Sequence, residues 1–207
     1  MKLVKNNFYI ALEIFSNFLL LNLIWFMMCL PIVTIFPATA ALFGVVRQWV
    51  LKEDSSVFRS FFKYFKDNFK QSFLLGLLWT IFAGLLYMNF TIISQLGSIE
   101  KMFLIPFLFL GGVLLILLSV FLFPVMVHYQ LNWIHILKNS LILAMSYLPF
   151  TLMGIVALLL MGAAFIWQPI TFLFIFSIGA YFIFFISNMI FKKAEQIRFS
   201  IKRAGSN

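Results

Sequence analysis

The feature that most constrains this chain is the length of its uncharged apolar runs. With histidine counted as neutral they extend from Ile14 to Val46, Gln71 to Ile99, Met102 to Leu137 and Asn139 to Phe191. Each exceeds the ~20 residues that a helix needs to cross hydrocarbon, so the solvent this chain meets is lipid. Composition agrees, with 64% hydrophobic and 10% charged residues against ~45–50% and ~25% in soluble domains. The longest charged interval, Arg47 to Lys70, is too short to bury a core of its own. The expected architecture is one all-α membrane domain over 1–207, a polytopic helix bundle.

Two of the runs are too long for one crossing. As a single helix, 14–46 would measure about 50 Å against a hydrocarbon core of about 30 Å, and Pro31 and Pro37 lie in its middle. Proline ends a helix or opens a new one at its first turn, so the run is expected to fold back through Thr34. The run 139–191 divides likewise around Trp167, Gln168 and Pro169. Six crossings result, at about 14–33, 37–51, 69–93, 102–127, 139–165 and 169–191. A five-crossing alternative lays 37–51 in the interface. Glu13, Asn17 and Asn22 interrupt the first apolar segment, which therefore reads as a retained crossing and not a cleaved signal peptide.

Six crossings with both termini cytoplasmic place every Lys and Arg except Lys101 on the inside, including a basic tail over 192–207. Five crossings move Lys2 and Lys5 outside and satisfy the positive-inside rule less well. The net charge of +9 is thus a matter of topology, and nucleic-acid binding is not needed to explain it. The expected location is a cell membrane, crossed several times.

The strongest local pattern is a basic amphipathic helix over 55–68. Phe58, Phe62, Phe65 and Phe69 recur at helical spacing, and Arg59, Lys63, Lys66 and Lys70 repeat the pattern one residue later, about 100° round the axis. Glu53 and Asp54 suit the positive end of the dipole, and Ser55 or Ser56 suits the cap. Such a helix either lies in the interface with its cations on anionic inner-leaflet headgroups or presents them to a protein partner.

Catalytic chemistry is hard to find. The six acids, Glu13, Glu53, Asp54, Asp67, Glu100 and Glu195, fall at membrane edges or loops and form no pair at depth. His128 and His135 have no carboxylate or thiol beside them to complete a metal set, and the lone Cys29 permits no disulfide within the chain. No cofactor or metal is expected. The uncharged polar groups in the spans read as interhelical hydrogen bonds or, around the Pro31–Pro37 break, as a polar cavity built from Asn22, Trp25, Thr34 and Thr39.

The segments Leu21-Asn22-Leu23-Ile24-Trp25, Leu30-Pro31-Ile32-Val33-Thr34, Pro37-Ala38-Thr39-Ala40-Ala41-Leu42, Ser56-Val57-Phe58-Arg59 and Phe65-Lys66-Asp67-Asn68-Phe69-Lys70-Gln71 resemble the YesL-like family. This is a family of small integral membrane proteins of Firmicutes, classed as a domain of unknown function. The resemblance covers about 17–78 in order and spacing. Phe36 departs from the family pattern, which has a small glycine there. Asn68 joins the candidate residues through this motif. The resemblance implies a companion of carbohydrate uptake systems, a non-enzymatic accessory or regulatory subunit touching an ABC importer or a sensor kinase. The alternative is a small transporter or channel for a sugar or other small polar solute through the Pro31–Pro37 break.

Overall fold

The computed structural model describes residues 6–53, 56–95 and 97–204. Every regular element among them is helical. The first helix, α1 (Asn6–Cys29), ends just before Pro31, which holds extended backbone ahead of a single tight turn over Ile32–Thr34. The Thr34 hydroxyl donates to the carbonyls of Met28 and Pro31, closing the reversal with groups that helix ends leave unpaired. Helix α2 (Ile35–Leu51) then begins with Pro37 in its first turn, where the missing N–H breaks no helical bond. The hairpin expected over 14–33 and 37–51 is present, with its turn at 30–34.

The central element of the bundle is α2. Its run from Ala40 to Val46 is buried without a gap, and a helix apolar all round belongs inside other helices. It packs against α1 and against three further helices, α3 (Val57–Ile92), α4 (Ser98–Tyr129) and α7 (Phe172–Ala204). An interfacial helix would keep one face in water, and α2 has no such face over these residues.

Contact between α2 and α3 depends on two glycines. A Cβ at Gly44 would lie 2.3 Å from Cγ of Tyr64, and one at Gly76 would lie 2.3 Å from Cγ of Phe36. Ring against backbone brings the helices close, as small residues do between helices in membranes. The bulk of Phe36, unexpected from the family pattern, is thus received by Gly76.

Three expected boundaries are corrected. The basic helix 55–68 and the crossing 69–93 are one unbroken helix, α3, because no proline and no glycine before Gly76 interrupts it. At 36 residues it is about 54 Å long; the part beyond Lys70 alone spans about 33 Å, enough for the core. The first turns therefore extend the crossing helix beyond the core. Ser55 lies outside the described residues. Ser56 holds the cap position without a side-chain bond to the first amides, its hydroxyl instead 3.2 Å from that of Ser60.

The crossing expected over 139–165 is interrupted at Tyr147. It divides into α5 (Trp133–Ser146) and α6 (Leu148–Trp167). The cause is Pro149 in the first turn of α6, which lacks the N–H to continue the preceding helix and whose ring clashes with the carbonyl four residues back. The Thr151 hydroxyl bridges the break by donating to the carbonyls of Ala144 (2.8 Å) and Tyr147 (3.1 Å). Finally, the basic tail expected over 192–207 continues α7 as helix to Ala204.

Among the described residues six segments are long and apolar enough to cross a membrane: Tyr9–Cys29, Ile32–Leu51, Val57–Ile92, Ile99–Tyr129, Leu148–Trp167 and Leu173–Gln196. The 14-residue α5, about 21 Å long, is too short to be one and packs beside α4.

Candidate functional site

The candidate residues around the proline break separate into three groups. Asn22 is fully buried and faces α7. Its amide donates to the carbonyl of Leu173 (2.9 Å) and to Oγ of Ser177 (2.7 Å), while its Oδ1 accepts from the backbone N–H of Ser177 (3.1 Å). Leu173 and Ser177 are four residues apart, the spacing of a helical hydrogen-bonded pair, so the side chain bridges both ends of one rung of α7. This is a lock between helices far apart in sequence.

Trp25 and Thr39 form the second group and do line a cavity, of about 370 Å³. The indole N–H of Trp25 donates to Oγ1 of Thr39 (3.2 Å), whose hydroxyl donates to the Ile35 carbonyl (2.7 Å). Across the cavity Trp79 donates to Oγ of Ser119 (3.0 Å), which donates to the Leu115 carbonyl (2.8 Å). Each polar group is satisfied by its neighbours, and the remaining wall is aliphatic and aromatic, with Phe36, Phe43, Phe123 and Phe176 prominent. A sugar hydroxyl entering here would find little left to bond.

The third group, Pro31, Thr34 and Pro37, builds the turn. Pro31 is exposed at its apex, Thr34 closes it, and Pro37 is buried.

The first half of α3 carries the other candidates, on three faces. Val57, Ser60 and Phe61 are buried, and with Tyr64 they form the face that meets α2. The stripe of Phe58, Phe62, Phe65 and Phe69 lies about 100° from that face, and the cations Arg59, Lys63, Lys66 and Lys70 about 100° further. Phe58 and Phe62 are exposed, Phe65 and Phe69 half-buried, and all four cations exposed. Ring contacts run along the stripe, Phe58 to Phe62 at 4.8 Å and Phe65 to Phe69 at 5.4 Å. Phe61, fully buried, escapes the sequence pattern because it sits beside the regular stripe.

Behind this helix is a polar layer that sequence reasoning missed. Arg47 of α2 bonds Oε2 of Glu53 at 2.9 Å and the hydroxyl of Tyr64 at 3.3 Å. The Gln71 amide donates to the Leu131 carbonyl and ties α3 to the link between α4 and α5. Asn68 donates to the Tyr64 carbonyl at 3.0 Å. Together with Asp67 and Gln130, Tyr64, Asn68 and Gln71 line a polar recess of about 270 Å³. The available signal was Arg47, the first charge after a long apolar run.

The two histidines belong to different helices. His128, near the end of α4, packs on the ring of Phe191 at 4.5 Å with Nε2 3.8 Å from Glu195. His135 is exposed in the first turn of α5. Among the described residues no three His, Cys, Asp or Glu side chains come together.

Comparison with known proteins gives this arrangement a family. A family described as "Protein of unknown function, DUF624" matches residues 18–90. The uncharacterized protein YesL of Bacillus subtilis (strain 168) is 30% identical over 158 residues, covering 70% of this chain and 73% of YesL. The chain belongs to the DUF624 family. The uncharacterized protein YteU of the same organism is 30% identical over 145 residues, 68% of this chain and 64% of YteU. A third, YesV, is 29% identical over 96 residues, 46% of each chain. The chain thus spans less than two thirds of the length of YteU and about half that of YesV. No solved structure matches it. The DUF624 match encloses the turn, the central helix and the whole three-faced half of α3, so every candidate residue lies within it.

Proposed function

We propose that this DUF624 protein is a non-enzymatic membrane subunit that docks a second membrane protein through the first half of α3. One observation carries the reading. The face used for packing on α2 is distinct from the cation stripe and from the exposed Phe58 and Phe62, while Phe65 packs against the core, so the helix presents a basic surface and an adjoining aromatic edge that its packing on α2 leaves exposed. Adjacent aromatic and basic stripes suit a groove with apolar walls and an acidic rim.

The partner proposed is a component of a carbohydrate ABC import system or its sensor kinase. Support for that identity is the resemblance to the YesL-like family, whose members look like companions of carbohydrate uptake systems, often encoded beside oligosaccharide importers and sensor kinases. Orientation follows from charge, with the cationic end and both termini cytoplasmic and anionic headgroups sharing the basic surface.

Replacing Lys63 and Lys66 with glutamate tests the docking. Co-purification with the neighbouring importer subunits, read by mass spectrometry, is expected to drop at least tenfold, with the protein still inserted and monodisperse. Undiminished co-purification overturns the reading.

A further inference from the structure

A second cleft, of about 700 Å³, opens at the charged end between the start of α1, the end of α2 and α7. Ile10, Ile14 and Phe18 line it on one face of α1, at the i, i+4 and i+8 spacing that aligns side chains along a helix. Two opposite charges stand in the same cleft, Glu13 from α1 and Lys52 just past α2.

These charges share a depth. Glu13 is 16 residues from Cys29, where α1 ends, and Leu51 is 16 residues from Ile35, where α2 begins. Both intervals measure about 24 Å along a helix. Measured from the common turn, Glu13 and Lys52 therefore lie where a core of about 30 Å gives way to headgroups.

Neither charge is answered by another described side chain. Among the described residues, Glu13 has no ion pair or hydrogen bond and the Lys52 ammonium has none, whereas Glu53 in the same cleft is held by Arg47 at 2.9 Å. Ionisable residues in crossing segments usually mark a site, and Glu13 stands at the headgroup end of one, exposed to the cleft as Lys52 is. Beside it, Nε1 of Trp49 and Oε1 of Gln48 are buried without hydrogen-bond partners. The cleft thus asks for an ammonium group and an anion in one headgroup, attached to an apolar chain.

We propose that this cleft binds one molecule of an aminophospholipid of the phosphatidylethanolamine type. Its phosphate pairs with Lys52, its ammonium donates to Glu13, and one acyl chain runs along Ile14 and Phe18. A phosphatidylglycerol would satisfy Lys52 but bring no positive charge to Glu13. A choline headgroup would bring the charge without an N–H to donate.

The test is lipid selection. The protein is reconstituted in nanodiscs of equal phosphatidylethanolamine, phosphatidylglycerol and phosphatidylcholine, released into mild detergent, and the retained lipid identified by native mass spectrometry. The expected result is one retained phospholipid per chain, with the ethanolamine lipid several-fold in excess. Glu13→Gln should bring the excess down to the mixing ratio and Glu13→Asp should keep it, while Lys52→Gln should lower retention of both phosphorylethanolamine and phosphorylglycerol lipids. Retention at the mixing ratio by the unaltered protein, or an unchanged excess in Glu13→Gln, overturns the proposal. Thermal unfolding of each variant shows that the bundle is intact.

Discussion

Asn22 shows how much a single polar residue can specify in a bilayer. Hydrocarbon offers no competing hydrogen bonds, so a buried amide must find partners in the protein, and this one finds them on α7. Asn22→Leu keeps the branched shape with somewhat larger tips and removes the three bonds to α7. It is expected to destabilise the bundle by about 1–2 kcal/mol, seen as a lowered Tm in detergent. Gly44 acts through the absence of a side chain. Gly44→Ala drives a methyl into the Tyr64 ring, at a cost of about 1–3 kcal/mol by overpacking. It should also loosen Arg47, whose guanidinium is held by the Tyr64 hydroxyl. Tyr64→Phe, which removes the hydroxyl and spares the packing, separates the two effects in the same melting assay.

At the scale of the element, α3 is a crossing helix prolonged beyond the core, and its prolongation carries three distinct faces, one packed on α2, one aromatic and one basic. The sequence pattern assigned the phenylalanine stripe to the membrane interface or a partner, and the residue that enters the core is Phe61, beside the stripe, and not Phe62. Phe61→Ala is therefore expected to destabilise by about 3–5 kcal/mol as a core truncation, and Phe62→Ala by less than about 1 kcal/mol as an exposed one. Guided by the proposed function, the second variant should weaken partner co-purification while the first lowers the yield of folded protein. Comparable destabilisation by both would remove the three-faced description. The break at Tyr147 teaches the same lesson in the opposite sense. A single proline, Pro149, ends an apolar run that hydropathy alone would carry through.

At the scale of the whole molecule, six crossing-length helices among the described residues are expected to put the start of α1 and the end of α7 on one face, and the proposed orientation makes that face cytoplasmic. With Cys29 replaced by alanine, a cysteine at Gly97, exposed in the link from α3 to α4, should react with an impermeant maleimide from outside the cell. A cysteine at Ser200, exposed on the last turns of α7, should react only after permeabilisation. Labelling of Ser200→Cys in intact cells would invert the bundle and move the basic surface of α3 outside.

The sequence by itself pointed to a lipid solvent, favoured six crossing helices over five and placed the first turn. These depend on local quantities: run length against bilayer thickness, proline geometry and the distribution of cations. The family motif was legible for the same reason, as contiguous segments at fixed spacing. Only the tertiary structure decided what each motif residue faces. Asn22 turns to α7, Trp25 and Thr39 turn to a cavity whose polar groups are already paired, and α2 stands at the centre of the bundle. In an apolar environment almost every face of a helix is hydrophobic, so periodicity cannot distinguish a lipid-facing side chain from a buried one. The distinction comes from close contacts such as Gly44 on Tyr64 and Gly76 on Phe36, which join residues that the sequence holds far apart.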